Sequence, residues 1–224
     1  MSAGAVTGGA LRIEDLPQTV PVFPLDGALL LPRGGLPLNI FEPRYLNMVD
    51  DAMAADRSIG MIATRPGGAP DRPALERLGC LGRITSFSET ADGRYLITLT
   101  GVCRFAVNQE LPVSTPYRQV RPDYAGFEHD LQPAAFDLPF GRDRLLESLR
   151  AYLDSRGLEI EWETARGAPA EALINSLSMA LPFATAEKQA LLAAADLLER
   201  EAALVALLEI DAAGLEGDDP QTLQ

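Results

Sequence analysis

Short apolar runs that alternate with polar residues or are bounded by Gly and Pro fill the first half of the chain. These runs predict strands at residues 20–25, 36–41, 59–62 and 117–121. The clearest local signal is in residues 81–100, where Asp92-Gly93 separates two alternating runs and favours the tight turn of a β-hairpin. Gly101 interrupts the next strand, at residues 102–107, and therefore predicts a bulge or a corner in the sheet.

One helix interrupts these strands. Pro43 fixes the backbone φ at a value that suits the first turn of a helix, and apolar residues recur behind it at spacings of three and four until about residue 55. Residues 69–78 are rich in proline and charge, which predicts an exposed connection. Several short strands with corners and one embedded helix indicate a small, partly closed barrel.

The pattern becomes helical after Pro122. Apolar spacing and terminators predict helices over residues 145–156, 169–181 and 185–213, ended by Gly157, Pro182 and Gly214. The predicted organisation is a disordered tail (1–16), a β-rich subdomain (17–122), a linker (123–138), a helical subdomain (139–214) and an acidic disordered tail (215–224). The fold class is α+β.

Composition and charge narrow the function classes. The net charge is -13, from 32 acidic and 19 basic residues, and Lys188 is the only lysine. A global acidic field opposes phosphate binding, so nucleic acid is not the favoured partner. Residues 1–16 lack the basic and apolar regions of a signal peptide, and no apolar run reaches the ~18 residues of a membrane span. We expect a cytoplasmic protein without a membrane partner.

Catalytic and metal-binding constellations are hard to assemble from these residues. The single histidine, His129, lies in a polar segment, so a Ser-His or Cys-His pair would have to use it. Cys80 and Cys103 have neither CxxC nor metal-ligand spacing and are interpreted as apolar strand residues. Lys188 adjoins Glu187 near a helix start and is predicted to be solvated. We therefore predict no catalytic residue, no metal and no cofactor.

One stretch is similar to a known family. The run VFPLDGALLLPRGGLPLNIFEPRYLNMVDDAM resembles the opening of the amino-terminal, substrate-binding domain of ATP-dependent Lon protease, which also occurs as a stand-alone protein in bacteria. Later, Leu181-Pro182, the run KQALL and Glu199-Arg200 resemble the helical end of the same domain. The resemblance implies a PUA-like pseudo-barrel followed by a helical bundle. It also implies capture of unfolded or degron-bearing polypeptides, or of a protein in the protease pathway.

The sequence departs from full-length Lon in ways that bear on catalysis. It contains no G-x-x-x-x-G-K-[ST] phosphate loop, because Lys188 is not preceded by glycine. Lon proteases use a Ser and a Lys from a separate carboxy-terminal domain, and nothing in this sequence corresponds to it. We therefore expect a protein that is not an enzyme, with neither ATPase nor peptidase activity.

Two groups of residues are candidate functional positions. The strand-to-helix signature consists of Phe41, Glu42, Pro43, Arg44 and Tyr45. Within it, Arg44 is interpreted either as a structural partner of Glu42 or as a ligand contact. The candidate partner-binding residues are Leu29, Leu30, Leu31, Arg33 and Leu36. Large apolar residues beside flexible glycines mark either a partner site or barrel core, and both interpretations stay open.

Three function classes follow. A polypeptide-binding module would use apolar grooves or strand addition to a sheet edge, and would show an exposed apolar patch near residues 29–36. A nucleic-acid binder would need an arginine face, for which the candidates are Arg83, Arg94, Arg104, Arg118 and Arg121. A hydrolase would need a pocket with convergent titratable groups. The first class is the one we favour.

Overall fold

The structure is a computed structural model that describes residues 11–69, 71–132 and 141–216. The chain divides into two compact units. The first unit comprises Met1–Asp26 and Leu30–Pro133, and the second comprises Gly27–Leu29 and Ala134–Gln224. Strands occupy the first unit and most helices the second, so the fold is α+β, as the sequence predicts.

The first unit is a closed barrel with one extra strand. Within the described residues its strands are β1 (Val20–Pro24), β2 (Gly35–Ile40), β3 (Ser58–Ala69), β4 (Arg72–Glu89), β5 (Tyr95–Glu110) and β6 (Arg118–Asp123). The sheet order is β2-β5-β4-β3-β1-β6, and β5 also pairs with β6, which closes the ring. β1 runs parallel to β3, and the other pairs are antiparallel. β2 pairs with the first part of β5 and forms the edge of the sheet.

Alternate residues of the strands fill the barrel, because successive side chains of a strand point to opposite faces. The core cluster consists of Leu16, Val20, Val22, Ile62, Leu75, Leu81, Cys103, Phe105, Val120 and Tyr124. Helix α1 (Pro43–Ala54) begins with proline in its first turn, as predicted, and buries Tyr45, Met48, Val49 and Ala52.

Two glycines determine how β5 runs. Gly93 adopts a φ of 77° in the turn between β4 and β5, which confirms the predicted hairpin. At Gly101 the register shifts from Leu81 opposite Cys103 to Gly82 opposite Gly101, which is the predicted bulge. A Cβ atom at Gly101 would lie 2.7 Å from the carbonyl carbon of Leu31 and closer still to its oxygen. The chain therefore needs glycine here to let two backbone segments touch.

The predicted connection at residues 69–78 is wrong in its backbone conformation, which is extended and paired. β3 extends to Ala69 and β4 begins at Arg72, and the two pair as a long hairpin, with Thr64 opposite Leu75. Gly67 and Gly68 take φ values of 110° and 83°, and the register shifts beside them. The hairpin arm is largely exposed, so its composition is that of a loop although its backbone is extended.

The predicted tail and linker are also partly wrong. Ile13–Asp15 form a 3-10 turn, and Leu16 is buried in the barrel core. Tyr124 is buried, and Glu128–Leu131 form a second 3-10 turn whose Asp130 is buried. These segments are ordered because they pack against the core of the barrel. Residues 1–10 and 133–138 lie outside the described residues.

The second unit is helical. Its described helices are α2 (Arg142–Arg156), α3 (Trp162–Gly167), α4 (Ala170–Ala180), α5 (Thr185–Ala193) and α6 (Leu197–Glu216). Gly157 ends α2 in the left-handed conformation, as predicted, and α4 ends at Ala180, with the extended Leu181 as its C-cap before Pro182. Helix α3 has no counterpart in the sequence prediction. In the part of the chain that the structure covers, no helix is long and apolar enough to span a membrane.

The single helix predicted over residues 185–213 is instead two helices. Ala194 has a φ of -50° and a ψ of 128°, which is extended. The Asp196 side chain then accepts a hydrogen bond from the Glu199 N–H at 2.8 Å, and Glu199 accepts one from the Ala195 N–H. This reciprocal capping starts α6. Since α6 continues to Glu216, the predicted tail at 215–224 begins too early, and residues 217–224 are outside the described chain.

Candidate functional site

The leucines of the predicted partner-binding segment are core residues. Leu29, Leu30 and Leu31 are 3%, 1% and 0% exposed. The Leu30 side chain fills the space beside Gly82, where a Cβ atom would approach it to 2.7 Å. Leu36 is half-buried opposite Leu99. Of the two interpretations that the sequence leaves open, burial supports core positions for the three leucines, and the expected exposed patch is not made by them.

Arg33 is held by the main chain around it. Its φ is 65°, in the left-handed region, and its N–H donates to the Gly101 carbonyl at 2.8 Å. Its guanidinium donates to the carbonyl oxygens of Asp130 and Gln132. Contact of Arg33 with a partner stays a prediction. These hydrogen bonds anchor Arg33 and fix the start of β2.

The signature residues divide by exposure. Phe41 is 62% exposed, and Pro43 starts α1. Arg44 and Glu42 form a salt bridge with an Nη2–Oε2 distance of 2.8 Å, and both side chains are about half exposed, so the pair adds at most about 1 kcal/mol to stability. Tyr45 is buried, with its ring centroid 4.3 Å from that of Phe23. Burial raises the pKa of the Tyr45 hydroxyl.

Exposed apolar side chains gather at the opposite end of β2 from the leucines. We call Phe41 and Leu96 the hairpin patch, because both lie on one face near the end of the β4–β5 hairpin, with Leu96 opposite Asn39 of β2. Phe87 and Tyr95 lie on the other face of the hairpin, since successive side chains of a strand alternate. Phe87 and Leu96 are 40% and 46% exposed. The Phe87 and Tyr95 rings are 5.0 Å apart in an edge-to-face arrangement, and the Arg94 guanidinium lies 5.9 Å from the Phe41 ring centre. Large apolar side chains exposed on one face of a hairpin are a candidate contact surface.

The free edge of β2 is poorly suited to strand addition. Pro37 lies in the middle of the strand, opposite Thr98 of β5. Proline has no backbone N–H, so within a sheet it is tolerated where its nitrogen faces the open edge. Any added strand would therefore find a donor missing at the centre of the edge. Side-chain docking on the hairpin patch is the better supported mode of contact.

Comparison with known families identifies the kind of domain that this chain forms. Residues 19–209 match the family model of the ATP-dependent protease La (LON) substrate-binding domain. The chain belongs to this family. The match covers most of the described chain, including both units.

Relatives and solved structures agree with this assignment. The Lon protease of Parabacteroides distasonis is 28% identical over 212 residues, which are 88% of this chain and 24% of that protein. Lon protease 2 of Myxococcus xanthus is 31% identical over 117 residues, 51% of this chain and 14% of that protein. The chain therefore spans about a quarter or less of the length of these curated relatives.

The solved structures establish the fold. The crystal structure of a Lon N-terminal domain protein from Xanthomonas campestris aligns with a TM-score of 0.56 at 23% identity, over 84% of this chain and 97% of that one. The N-terminal domain of the Mycobacterium avium complex Lon protease aligns with the same TM-score at 20% identity, over 85% and 97% of the two chains.

The arginines of this Lon substrate-binding domain do not form an open basic face. Arg104 is 1% exposed and binds Asp130. Arg118 binds Glu110 at 2.7 Å, and Arg94 binds Asp92 at 2.9 Å. Three of the five arginines considered for nucleic-acid contact are therefore neutralised by carboxylates. Only Arg83 and Arg121 have no carboxylate partner within the described residues, and two cations are few for a phosphate-binding surface.

The groups that the sequence analysis considered for catalysis are engaged in structure. His129 Nε2 lies 2.7 Å from Arg104 Nη2. Cys80 and Cys103 are buried thiols on neighbouring strands, and burial raises the pKa of Cys103 to about 12, which makes it unreactive. Among the described residues, no group of three or more His, Cys, Asp or Glu side chains is arranged to hold a metal.

The prediction that Lys188 is solvated is wrong. This side chain is 6% exposed, and its Nζ donates to the carbonyl oxygens of Gly27 at 2.7 Å and Met179 at 3.2 Å. Met179 lies in the last turn of α4, where free carbonyls and the helix dipole favour a cation. Desolvation lowers the pKa of Lys188. Its role is to join α4 to the Gly27–Leu29 segment of the same unit.

Amine labelling tests the burial of Lys188. We expect acylation of Nζ by an N-hydroxysuccinimide ester at pH 8 to be roughly tenfold or more slower in the native protein than in urea, because the reagent must wait for local opening. The lowered pKa leaves more neutral amine and favours the reaction, but access controls the rate. Peptide mapping by mass spectrometry separates Lys188 from the α-amino group. Equal rates in both conditions would show an exposed lysine.

Proposed function

We propose that this Lon substrate-binding domain is a non-catalytic module that captures unfolded or degron-bearing polypeptides, or a partner protein of the protease pathway. The observation that carries the proposal is the family match over residues 19–209. The hairpin patch supplies a surface of the right chemistry, since apolar side chains held at a surface can dock apolar side chains of an unfolded chain.

The proposal includes the absence of catalysis by this chain. The matched family is a substrate-binding domain, and His129 and Lys188 are engaged in hydrogen bonds that hold structural elements. Turnover of casein or ATP by a homogeneous sample would contradict it. Two buried free thiols support a reducing compartment such as the cytoplasm.

Removing the apolar groups of the hairpin patch tests the proposal. We expect the double variant Phe41→Ser/Leu96→Ser to bind a fluorescently labelled unfolded polypeptide about tenfold or more weaker, because burying one Phe or Leu side chain contributes roughly 1.5–3 kcal/mol. Anisotropy titration measures the dissociation constant. Both side chains are largely exposed, so the fold should be retained.

A matched control is available in the other unit. Ile210 is 68% exposed, and Ile210→Ser removes a similar apolar group without touching the patch. It should leave binding unchanged. Equal losses in both variants, or no loss in the patch variant, would remove the patch as the site. A parallel titration with labelled RNA at two salt concentrations tests the other function class, because salt-sensitive RNA binding without polypeptide binding would favour it.

A further inference from the structure

A concave surface lies in the first unit, apart from the hairpin patch. It is a cleft of about 510 Å³ that we call the tyrosine cleft. Its lining residues are Pro24, Asp26, Arg44, Tyr45, Thr64, Asp71, Pro73, Pro116, Tyr117 and Arg118. Prolines and tyrosine rings form rigid apolar walls, and charged groups stand among them.

The walls of the cleft are held in place. The Tyr117 hydroxyl donates to Asp51 at 2.6 Å, and burial together with this hydrogen bond raises the pKa of Tyr117 to about 12. Tyr45 packs on Phe23, and the Arg44 guanidinium lies 4.5 Å from the Tyr45 ring centre. A ligand would therefore meet a preformed surface, which reduces the entropy cost of binding.

The arginines of the cleft are paired with carboxylates, although Arg118 shares Glu110 with Arg72. Arg44 is paired with Glu42. Arg118 donates to Glu110 through Nε at 2.9 Å and Nη2 at 2.7 Å, and its Nη1 donates to the Pro73 carbonyl at 2.7 Å. The hydrogen bond from Arg118 is the main cause of the lowered pKa of Glu110. An anionic ligand would have to displace these carboxylates.

The acidic groups of the cleft are not neutralised by cations. Asp26 accepts hydrogen bonds from the Thr64 N–H at 2.8 Å and from the Thr64 hydroxyl, which orient its carboxylate but leave its charge uncompensated. Asp71 is exposed and makes no hydrogen bond or ion pair within the described part of the chain. The two charges of Asp26 and Asp71 outweigh the one positive charge that remains where Arg72 and Arg118 share Glu110, so the balance at the cleft is negative, the same sign as the net charge of the protein.

The Tyr45 hydroxyl is the most informative polar group in the cleft. Tyr45 is 6% exposed, yet its hydroxyl has no hydrogen-bond partner among the residues that the structure describes. Among the described residues, the buried side-chain polar atoms without a partner are the hydroxyls of Tyr152 and Ser178, so the Tyr45 hydroxyl keeps access to solvent through the cleft. An N–H donor from a ligand in the cleft can therefore replace water at this oxygen, because the phenolic oxygen can accept a hydrogen bond.

We propose that the tyrosine cleft binds an arginine or lysine side chain of a polypeptide. The aliphatic stem lies along the prolines and the Tyr117 ring, and the cationic head meets Asp26, Asp71 and the Tyr45 hydroxyl. This inference rests on the proposed function and assigns it a substrate class: apolar segments that contain a basic residue. The acidic net charge steers such segments toward the domain.

The test uses N-acetyl-arginine amide as probe and N-acetyl-citrulline amide as its neutral isostere. In ¹⁵N NMR titrations, the arginine probe should shift the backbone amides of Thr64 and Tyr117, and citrulline should not. Asp71→Asn and Tyr45→Phe should each weaken the arginine probe about five-fold to tenfold, since a charge-assisted hydrogen bond is lost. Asp143→Asn, an exposed charge change in the other unit, should have no effect.

Results in the other direction would overturn the inference. Equal shifts with citrulline, no shift at Thr64 with either probe, or stronger binding of N-acetyl-aspartate amide than of the arginine probe would each do so. A second titration compares one unfolded polypeptide in its arginine and citrulline forms. If both forms bind equally, the cleft is not the recognition site although the proposed function stands. If neither form binds while the arginine probe does, the proposed function fails and the basic-group site remains.

Discussion

Replacing Gly101 by alanine should destabilise the first unit by about 3 kcal/mol or more, a large part of the 5–15 kcal/mol that stabilises a typical domain. The new Cβ would overlap the carbonyl of Leu31 and lie 3.2 Å from the Cα of Pro32. Every atom it meets is backbone, so no side chain can move aside. The bulge of β5 and the Leu31–Pro32 segment would have to separate, which breaks the Arg33 N–H bond to Gly101.

Gly35→Ala is the matched control, because the nearest atom to a Cβ at Gly35 is a methyl of Thr98 at 4.0 Å. Its free energy of unfolding should stay within about 0.5 kcal/mol of the wild type. Urea titration followed by circular dichroism measures both variants. Hydrogen exchange of β2 and β5 peptides shows whether the lost stability lies in the first unit. Tryptophan fluorescence would not show this, because Trp162, the only tryptophan, lies in the second unit. Equal stability of the two variants would contradict the close approach.

The strands of the barrel could be predicted because alternating apolar and polar residues indicate which face of a strand is buried. The β4–β5 hairpin follows directly from two alternating runs and Asp92-Gly93. The β3–β4 arm could not be found in this way. Residues 69–78 have the proline and charge content of a loop because most of the arm, apart from the buried Leu75, is open to solvent, and composition reports exposure rather than backbone conformation.

The break between α5 and α6 shows a signal that periodicity hides. Leucines and alanines continue at helical spacing through residues 185–213, so the hydrophobic pattern does not register the interruption. Asp196 followed three residues later by Glu199 is a capping pair, and the structure uses it as one. A search for helix-capping residues, made before the search for helical periodicity, would have placed the start of the second helix at Leu197.

The candidate site was the least predictable part, for a reason that several residues share. The sequence of an apolar run such as 29–31 does not distinguish core residues from residues that contact a partner. Only the structure shows that these side chains are buried. Phe41 is the reverse case, because it ends an apparent core strand yet projects into solvent. Lys188 is charged and buried, since it donates to the Met179 carbonyl at the end of α4 and to the Gly27 carbonyl, and no sequence pattern marks this pairing.

The second large effect is expected at the buried ion pair of Arg104 and Asp130. Asp130→Asn should lower the free energy of unfolding by about 3–5 kcal/mol, because it leaves the guanidinium buried without its counter-charge. The pair is bidentate, with Nε–Oδ2 and Nη2–Oδ1 distances of 2.9 and 3.0 Å, and the side chains are 1% and 4% exposed. Urea unfolding measures the loss.

A double-mutant cycle separates the charge effect from general damage to this region. If the buried charge is the cause, Arg104→Met/Asp130→Asn should be less destabilised than the sum of its two single variants, since neither charge is then left alone. Asp92→Asn, in the exposed pair with Arg94, provides the control and should leave the free energy of unfolding nearly unchanged, because solvent screens an exposed pair. Additive losses in the cycle would show that the two side chains act independently. In that case the 3-10 turn over Asp130, which also anchors Arg33 at the start of β2, would be held by packing rather than by charge.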